Sequence, residues 1–260
     1  MDLEGKVVVI TGASMGIGEE IAKVFVAAGA SIVMLSRDAA RAEAARGRVG
    51  SPDRTLALSC DVRNAEEIDR VVSLTLQHFH RIDVWINNAG HGLIDSVAKM
   101  EMAACRELFE TNLFGAITGM RAAIPVMRRQ GGGTIINMSS VAGHIPVPFL
   151  AAYSASKFAL NAIGKAARSE LRKDNIHVMT VCPGYVATGF GEHAARGKEL
   201  KRVRPNAVRG IGAERVARAT LQGYLTRKRE VIVPWTMHPV VKLYQLFPAL
   251  VEWAMRSMAK

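Results

Sequence analysis

The chain has 260 residues, 49% hydrophobic and 22% charged, which suits one α/β domain with a sizeable buried core. Its net charge of +11 directs attention to nucleic acid, anionic membrane and acidic substrates, but no nucleic-acid motif accompanies it and aromatics are only 6%. Met1 to Glu4 leads straight into an apolar run at Val7, so no secretory leader is expected; no apolar run reaches the ~20 residues of a membrane span, and the cytoplasm is the expected compartment.

Val7 to Ile10 is short, β-branched and continuously apolar, the pattern of a parallel strand covered on both faces. Ile17, Ile21, Val24, Phe25 and Ala28 then recur at helical spacing up to Gly29. Strands are predicted over Ser31–Leu35, Thr55–Cys60, Ile82–Ile86, Ile135–Met138, His177–Cys182 and Val231–Val233. Helical segments fall between them: Ile68 to Phe79, a long stretch from about Glu101 to Arg129, Ala152 to Lys173, and Ala213 to Thr226. This alternation predicts a single doubly wound Rossmann-type domain, with a seven-stranded parallel sheet and right-handed crossovers. The domain should span residues 1–238, with an amphipathic helical tail over 239–260.

Cys60, Cys105 and Cys182 form no CxxC pair, and two of them close strands, so buried reduced thiols are expected. His78 and His80 stand two apart on a helical pattern and do not share a face, so no metal pair is expected. Asn137-Met138-Ser139 has the form of a glycosylation sequon, but it lies within a buried strand.

Between the first strand and helix stands Thr11-Gly12-Ala13-Ser14-Met15-Gly16-Ile17-Gly18. Glycines there allow a sharp turn, close approach of a pyrophosphate and tight helix packing, while the helix offers its free N–H groups to the anion. About twenty residues on, an acid would read a ribose 2′-hydroxyl and an arginine a 2′-phosphate. The chain reads Ser36-Arg37-Asp38 there. Arg37 suits a phosphate, and Asp38 suits the cap of the next helix. NADP(H) is therefore favoured, with NAD(H) the alternative.

Tyr153 and Lys157 lie at i and i+4, on one helix face. A phenol of pKa ~10 is a poor base at neutral pH, and a nearby ammonium favours its ionised form. Tyr153 can then exchange a proton with an alcohol or carbonyl oxygen. Ser140, thirteen residues earlier at a strand end, can polarise the same oxygen, while Ser139 can satisfy backbone groups.

Together these motifs resemble the short-chain dehydrogenase/reductase family over roughly residues 5 to 233: the Thr11–Gly18 turn, Asn87-Asn88-Ala89-Gly90, Ser140 with Tyr153 and Lys157, and Pro183-Gly184 with Thr188. The resemblance implies that Ser140 holds the substrate oxygen, that Tyr153 is the acid/base, and that Lys157 binds the nicotinamide ribose and lowers the tyrosine pKa. It also implies that Asn112 holds a proton-relay water, Asp61-Val62 lies beside the adenine, and Asn88-Ala89-Gly90 runs along the adenosine ribose. Pro183-Gly184, with Val186 and Thr188, would face the carboxamide and diphosphate. Two departures matter. Met15 stands where some NADP-preferring members carry a basic residue. Val233-Pro234-Trp235-Thr236 replaces the Val-Asp-Gly-Gly of the reductases of carrier-bound β-ketoacyl chains.

The resemblance puts the substrate loop at about residues 189–210, which include six Arg or Lys. The tail carries Val240, Leu243, Tyr244, Phe247, Leu250, Val251, Ala254 and Met258 at helical spacing, with Pro248 starting a second short helix. It can pack over the pocket or a partner subunit, or lie in a membrane interface aided by Lys242, Arg256 and Lys260. The leading expectation is an NADP(H)-dependent oxidoreductase of a lipophilic small-molecule alcohol or carbonyl, assembled as a homodimer or homotetramer. The alternative enzyme is a 3-oxoacyl reductase acting on carrier- or CoA-linked chains, motivated by the basic loop. A sensor that binds NADP(H) without turnover is a third reading, with no need for Tyr153.

Overall fold

The computed structural model describes residues 3–187, 194–196 and 210–256. In chain order the elements are β1 (Val7–Thr11), α1 (Gly16–Ala27), β2 (Ser31–Ser36), α2 (Ala39–Val49), β3 (Thr55–Ser59), α3 (Ala65–Phe79), β4 (Val84–Asn87), β5 (Leu93–Ile94), α4 (Met102–Phe109), α5 (Gly115–Arg129), β6 (Gly133–Met138), α6 (Ala151–Glu170), β7 (Ile176–Pro183), β8 (Ala195–Arg196), α7 (Ala213–Leu225), β9 (Glu230–Val233), α8 (Met237–Leu246) and α9 (Pro248–Met255). Seven strands form one sheet in the order β3-β2-β1-β4-β6-β7-β9, parallel throughout. Strands β5 and β8 make a separate two-stranded parallel ribbon.

Alternation within the buried strands explains the two layers. Val8, Ile10, Ile32 and Met34 face Ile21 and Phe25 of α1 and Val216 of α7. Val9, Val33, Trp85 and Ile135 turn to the other face, against Ile68 and Val71 of α3 and Met120 and Met127 of α5. Both sets are almost wholly buried, so the strands read as continuous apolar runs. The chain order reverses between β1 and β4, which opens a crevice at their carboxyl ends.

Three expectations are refined. The long helical stretch is α4 and α5 joined through a wide π turn, Glu110–Phe114, whose backbone bonds run i→i+5 (Gly115 N to Glu110 O). The tail helix begins at Met237 rather than 239; Pro239 falls in its first turn, where no N–H donor is needed. The ribbon of β5 and β8 was not foreseen, being two residues a side. Asp38 does cap α2, accepting a hydrogen bond from Arg41 N at 3.0 Å. Cys60 and Cys182 are buried and free, and Asn137 is fully buried within β6. Among the described residues, no helix is long and apolar enough to cross a membrane.

The amino-terminal edge of the sheet is tied at Asp83, just before β4. Its buried carboxylate accepts hydrogen bonds from Val7 N (3.0 Å), Lys6 Nζ (3.1 Å) and Arg81 Nε and Nη2 (both 2.7 Å). Burial alone would raise the Asp83 pKa, but the donors from Arg81, Val7 and Lys6 prevail and hold it below the ordinary value. The stability so gained is present above the unfolded pKa of ~3.9 and is lost as pH falls towards the lower folded value. Asp83→Asn should therefore cost about 2 kcal/mol at neutral pH, an increment that shrinks on acidification. Urea unfolding of both proteins at neutral and acid pH measures it; an undiminished difference in acid would contradict the assignment.

Candidate active site

The glycine-rich turn is held from its far side. Thr11 Oγ1 donates to Ile86 O (3.3 Å) and accepts from the backbone N–H groups of Asn88 and Ala89 (both 2.9 Å). Asn88 Nδ2 donates in return to the carbonyls of Thr11 and Gly12 (both 2.9 Å). Strands β1 and β4 are thus clasped where the crevice opens. Gly12 has φ +65° and lies so close to the β4 extension that a Cβ would come within 2.8 Å of Ala89 Cα. A Cβ on Gly18 would strike the Gly12 carbonyl oxygen. Gly16 opens α1, Ile17 packs half-buried on the core, and the helix has no side-chain N-cap at Met15. Its first-turn N–H groups therefore remain available to an anion.

A dinucleotide fits this cradle, since the backbone is bare where a pyrophosphate would lie. Around the turn stand two arginines. Arg37 is exposed at the end of β2, and among the described residues its guanidinium makes no hydrogen bond. Ser36 Oγ accepts from Asp38 N (3.3 Å). Arg48, not foreseen from the sequence, reaches from the end of α2 to the Ser14 carbonyl (3.2 Å) and pairs with Glu19 (2.8 Å). Asp61 is held by a bidentate bond from Arg63 (3.0 and 2.6 Å), which, aided by Arg37, keeps its carboxyl below the usual range. Val62 is buried against Gly115, where a Cβ would meet it at 2.7 Å.

On the other side of the crevice, Ser140, Tyr153, Lys157 and Asn112 come together. The first turn of α6 presents Tyr153 and, one turn on, Lys157. The Ser140 hydroxyl faces the Tyr153 phenol and favours its ionised form. It also donates to Pro183 O (3.3 Å) and accepts from Ala142 N (3.0 Å), which fixes its position at the end of β6. Lys157 is 5% exposed; its ammonium donates to Met138 O at 2.9 Å and lies 5.7 Å from the Tyr153 ring centroid. Ser139 Oγ donates to the Lys157 carbonyl (3.4 Å), the backbone role expected of it.

Asn112 sits in the π turn and is 1% exposed. Its side chain accepts from His91 N and donates to His91 O (both 2.9 Å), and it bonds Ser156 Oγ at 3.3 Å. This ties α4–α5 to α6. Gly90 lies between: a Cβ there would be 3.0 Å from Asn112 Oδ1 and 3.6 Å from Lys157 Nζ. Pro183 ends β7, Gly184 N donates to Val233 O (2.7 Å), and Val186 bridges to Ile211. Thr188 and most of 189–210 lie outside the described residues.

Desolvation governs both titratable groups of the cluster. Burial pushes the Tyr153 phenol up to about 12, against the opposing bond from Ser140. Burial likewise brings the Lys157 ammonium down to about 8. Desolvation disfavours whichever form is charged, so without a ligand the phenol keeps its proton at neutral pH. Sequence reading also missed His144, one turn after Ser140. It is buried, with Nε2 3.4 Å from Cys182 Sγ and 3.3 Å from Glu230 Oε2, and joins the Ser140 turn to β7 and β9. Residues from three separate segments meet there, so no local spacing could have signalled it.

A seven-stranded doubly wound sheet, a bare glycine cradle and a Ser–Tyr–Lys cluster across one crevice define a dinucleotide-dependent oxidoreductase fold. Residues 6–199 match the model of the short chain dehydrogenase family. The chain is 33% identical over 272 residues to 11-beta-hydroxysteroid dehydrogenase 1A of Arabidopsis thaliana, covering 99% of this chain and 76% of the relative. Among solved structures, a short chain dehydrogenase from Burkholderia cenocepacia in complex with NADP aligns with TM-score 0.81 and 26% identity, over 98% of this chain and 99% of that one. A short chain dehydrogenase/reductase from Burkholderia phymatum in complex with NAD shares the fold with TM-score 0.86 at 24% identity, over 96% of each chain. The chain belongs to the short-chain dehydrogenase/reductase family, and a nicotinamide cofactor goes with that membership.

The clasp at Asn88 gives a prediction. Asn88→Ala removes both donors to the turn and should weaken dinucleotide binding about tenfold or more, with a stability loss of about 2 kcal/mol. Titration of NADPH fluorescence alongside thermal unfolding reads both; unchanged binding would mean that the turn keeps its shape unaided.

Proposed function

We propose that the chain is an NADP(H)-dependent oxidoreductase that interconverts a lipophilic alcohol and its ketone or aldehyde, with Tyr153 as acid and base. The observation that carries this reading is the convergence of the Ser140 hydroxyl and the buried Lys157 ammonium on the Tyr153 phenol. One substrate oxygen can take both hydroxyls as partners. The bound cofactor supplies the hydride acceptor or donor. Gly12, Ser14, Gly16, Ile17 and Gly18 would hold its diphosphate; Asn88, Ala89, Gly90, Pro183, Gly184 and Val186 would line its path, and Lys157 would hold the nicotinamide ribose.

In carbonyl reduction, Tyr153 donates its proton to the oxygen while Ser140 steadies the developing negative charge. In alcohol oxidation, the phenolate takes the hydroxyl proton. A phenol pushed up to about 12 stays protonated at neutral pH, the form that carbonyl reduction requires. Asn112, whose side chain anchors the segment between Gly90 and α6, would hold the water that passes the proton onward. The exposed Arg37, whose guanidinium makes no hydrogen bond among the described residues, supports a 2′-phosphate, and Met15, being uncharged, leaves that charge to Arg37 and nearby Arg48. The lipophilic substrate rests on the apolar tail beside the site and on the hydroxysteroid activity named for the Arabidopsis relative.

Three experiments test the proposal. A panel of ketones and alcohols assayed with NADPH and NADH should show turnover, with Tyr153→Phe lowering kcat about 10²- to 10⁴-fold while cofactor binding persists. Strict dependence on carrier-linked acyl chains would favour the 3-oxoacyl reductase instead. Arg37→Asp should shift kcat/KM towards NADH by about tenfold or more, and no shift would remove Arg37 from the cofactor site. In the oxidation direction the rate should rise with pH as the phenol deprotonates, and Lys157→Ala should lower it and move that rise to higher pH. A variant with an unmoved profile would contradict the lysine's role.

A further inference from the structure

The two tail helices carry two apolar stripes each, and only one is used. Met237, Val241 and Tyr244 of α8, with Val251 and Met255 of α9, pack on Val141, Ile145, Cys182 and Ile232. That inner stripe attaches the tail to the ends of β6, β7 and β9. Among the described residues nothing packs on the outer stripe: Val240, Leu243 and Leu246 on α8, Phe247 at its end, then Leu250 and Trp253 on α9, are all exposed. Leu246 is 71% and Trp253 66% exposed, and Trp235, just before α8, is 70%. Folding does not require such residues, because the inner stripe already holds the helices in place.

The charges that accompany the stripe are cationic. Exposed Lys242 and Arg256 each lie some 40–60° around their helix from an outer-stripe residue, at helical spacing of 100° per residue. Glu252 is the sole acid from Trp235 to Arg256, and the Tyr244 hydroxyl bonds it at 3.3 Å. The whole chain adds a net charge of +11. A second copy seated on this face would bring like charges together. An anionic lipid surface complements both the charge and the apolar stripe, and tryptophans favour its headgroup boundary.

We propose that α8 and α9 dock the protein on an anionic lipid surface, lying flat with Leu246, Phe247, Leu250 and Trp253 in the headgroup boundary and Lys242 and Arg256 on lipid phosphates. The docked face adjoins the crevice: a Cβ on Gly184 would lie 3.5 Å from Pro234 and 3.8 Å from Met237, and Ser140 bonds the preceding Pro183 carbonyl. A membrane-dissolved substrate would meet the site there, but docking itself needs no turnover and stands apart from the proposed reaction.

Flotation of the full chain with phosphatidylcholine vesicles, with and without phosphatidylglycerol, tests it. The chain should float with the anionic vesicles, and added salt should release much of it. Leu246→Ser/Phe247→Ser/Trp253→Ser should lower partitioning about tenfold or more. Lys242→Glu/Arg256→Glu, which leaves the apolar stripe intact, should lower anionic binding by about fivefold or more per cation while sparing the weak neutral binding. Unchanged far-ultraviolet circular dichroism and NADPH binding show that each variant is folded; should the serine variant not fold, the charge variant decides. A full chain that stays in the aqueous fraction with both vesicles overturns the proposal. So does sedimentation showing that the serine variant splits a dimer while the full chain ignores lipid, since a second copy would then own the face.

Discussion

The Lys157 ammonium is nearly dry and donates a hydrogen bond to the Met138 carbonyl at 2.9 Å. A buried cation with so little compensation is under pressure to lose its proton, which is why its pKa falls to about 8. The neighbouring phenol feels the same desolvation with the opposite sign and rises to about 12. At neutral pH the phenol is therefore protonated while the ammonium keeps most of its charge, and that balance answers to what enters the crevice. Each group that adds solvation or counter-charge to one member alters the other.

That arrangement depends on how closely α6 approaches the sheet. Its inner face is made of small or polar residues: Ser154, Ser156, Asn161 and Gly164 are buried along with Lys157. A Cβ on Gly164 would lie 3.2 Å from both Asn137 Nδ2 and Thr180 Oγ1, so the helix backbone nearly touches β6 and β7. A larger residue would lift the helix and withdraw the ammonium from Met138. The polar atoms gathered under the helix are costly to bury, and most find partners: Asn87 Nδ2 donates to Asn137 Oδ1 at 2.8 Å and Asn161 Nδ2 to Gly143 O at 2.8 Å. Asn161 Oδ1 and Thr180 Oγ1 have none. They mark the same seam, where close approach has taken precedence over complete pairing.

The layered fold was legible because each parallel strand is apolar on both faces and each helix on one, so composition and period carry the same message. Motif spacing carried Gly12 to Gly18, Asn88, Ser140, Tyr153 and Lys157, since each sits at the end of an element whose position the sheet dictates. The rest depended on distance rather than spacing. Arg48 lies 34 residues from the Ser14 carbonyl it grips, and His144 meets Cys182 and Glu230 from three segments. The π turn around Asn112 has helix-forming residues on both sides, and nothing in Glu110–Phe114 announces a wider turn. The desolvation of the pair lay outside the sequence for a related reason: helical spacing places a lysine near a tyrosine but says nothing of the solvent that both have lost.

The tail shows where periodicity becomes ambiguous. Eight apolar residues at helical spacing left open whether they cover the pocket, a partner or a lipid surface, and α8 and α9 divide their apolar positions between two stripes. Tyr244 and Val251 turn inward while Leu243 and Leu250, each one residue earlier, turn out. Adjacent positions on a helix differ by about 100°, so a tail apolar on both sides can satisfy a protein core and a second apolar phase together. The inner stripe ends against Val141, the residue after Ser140, so the surface that remains bare lies next to the crevice. Whatever covers that surface will therefore share a boundary with the entrance through which the substrate oxygen must come.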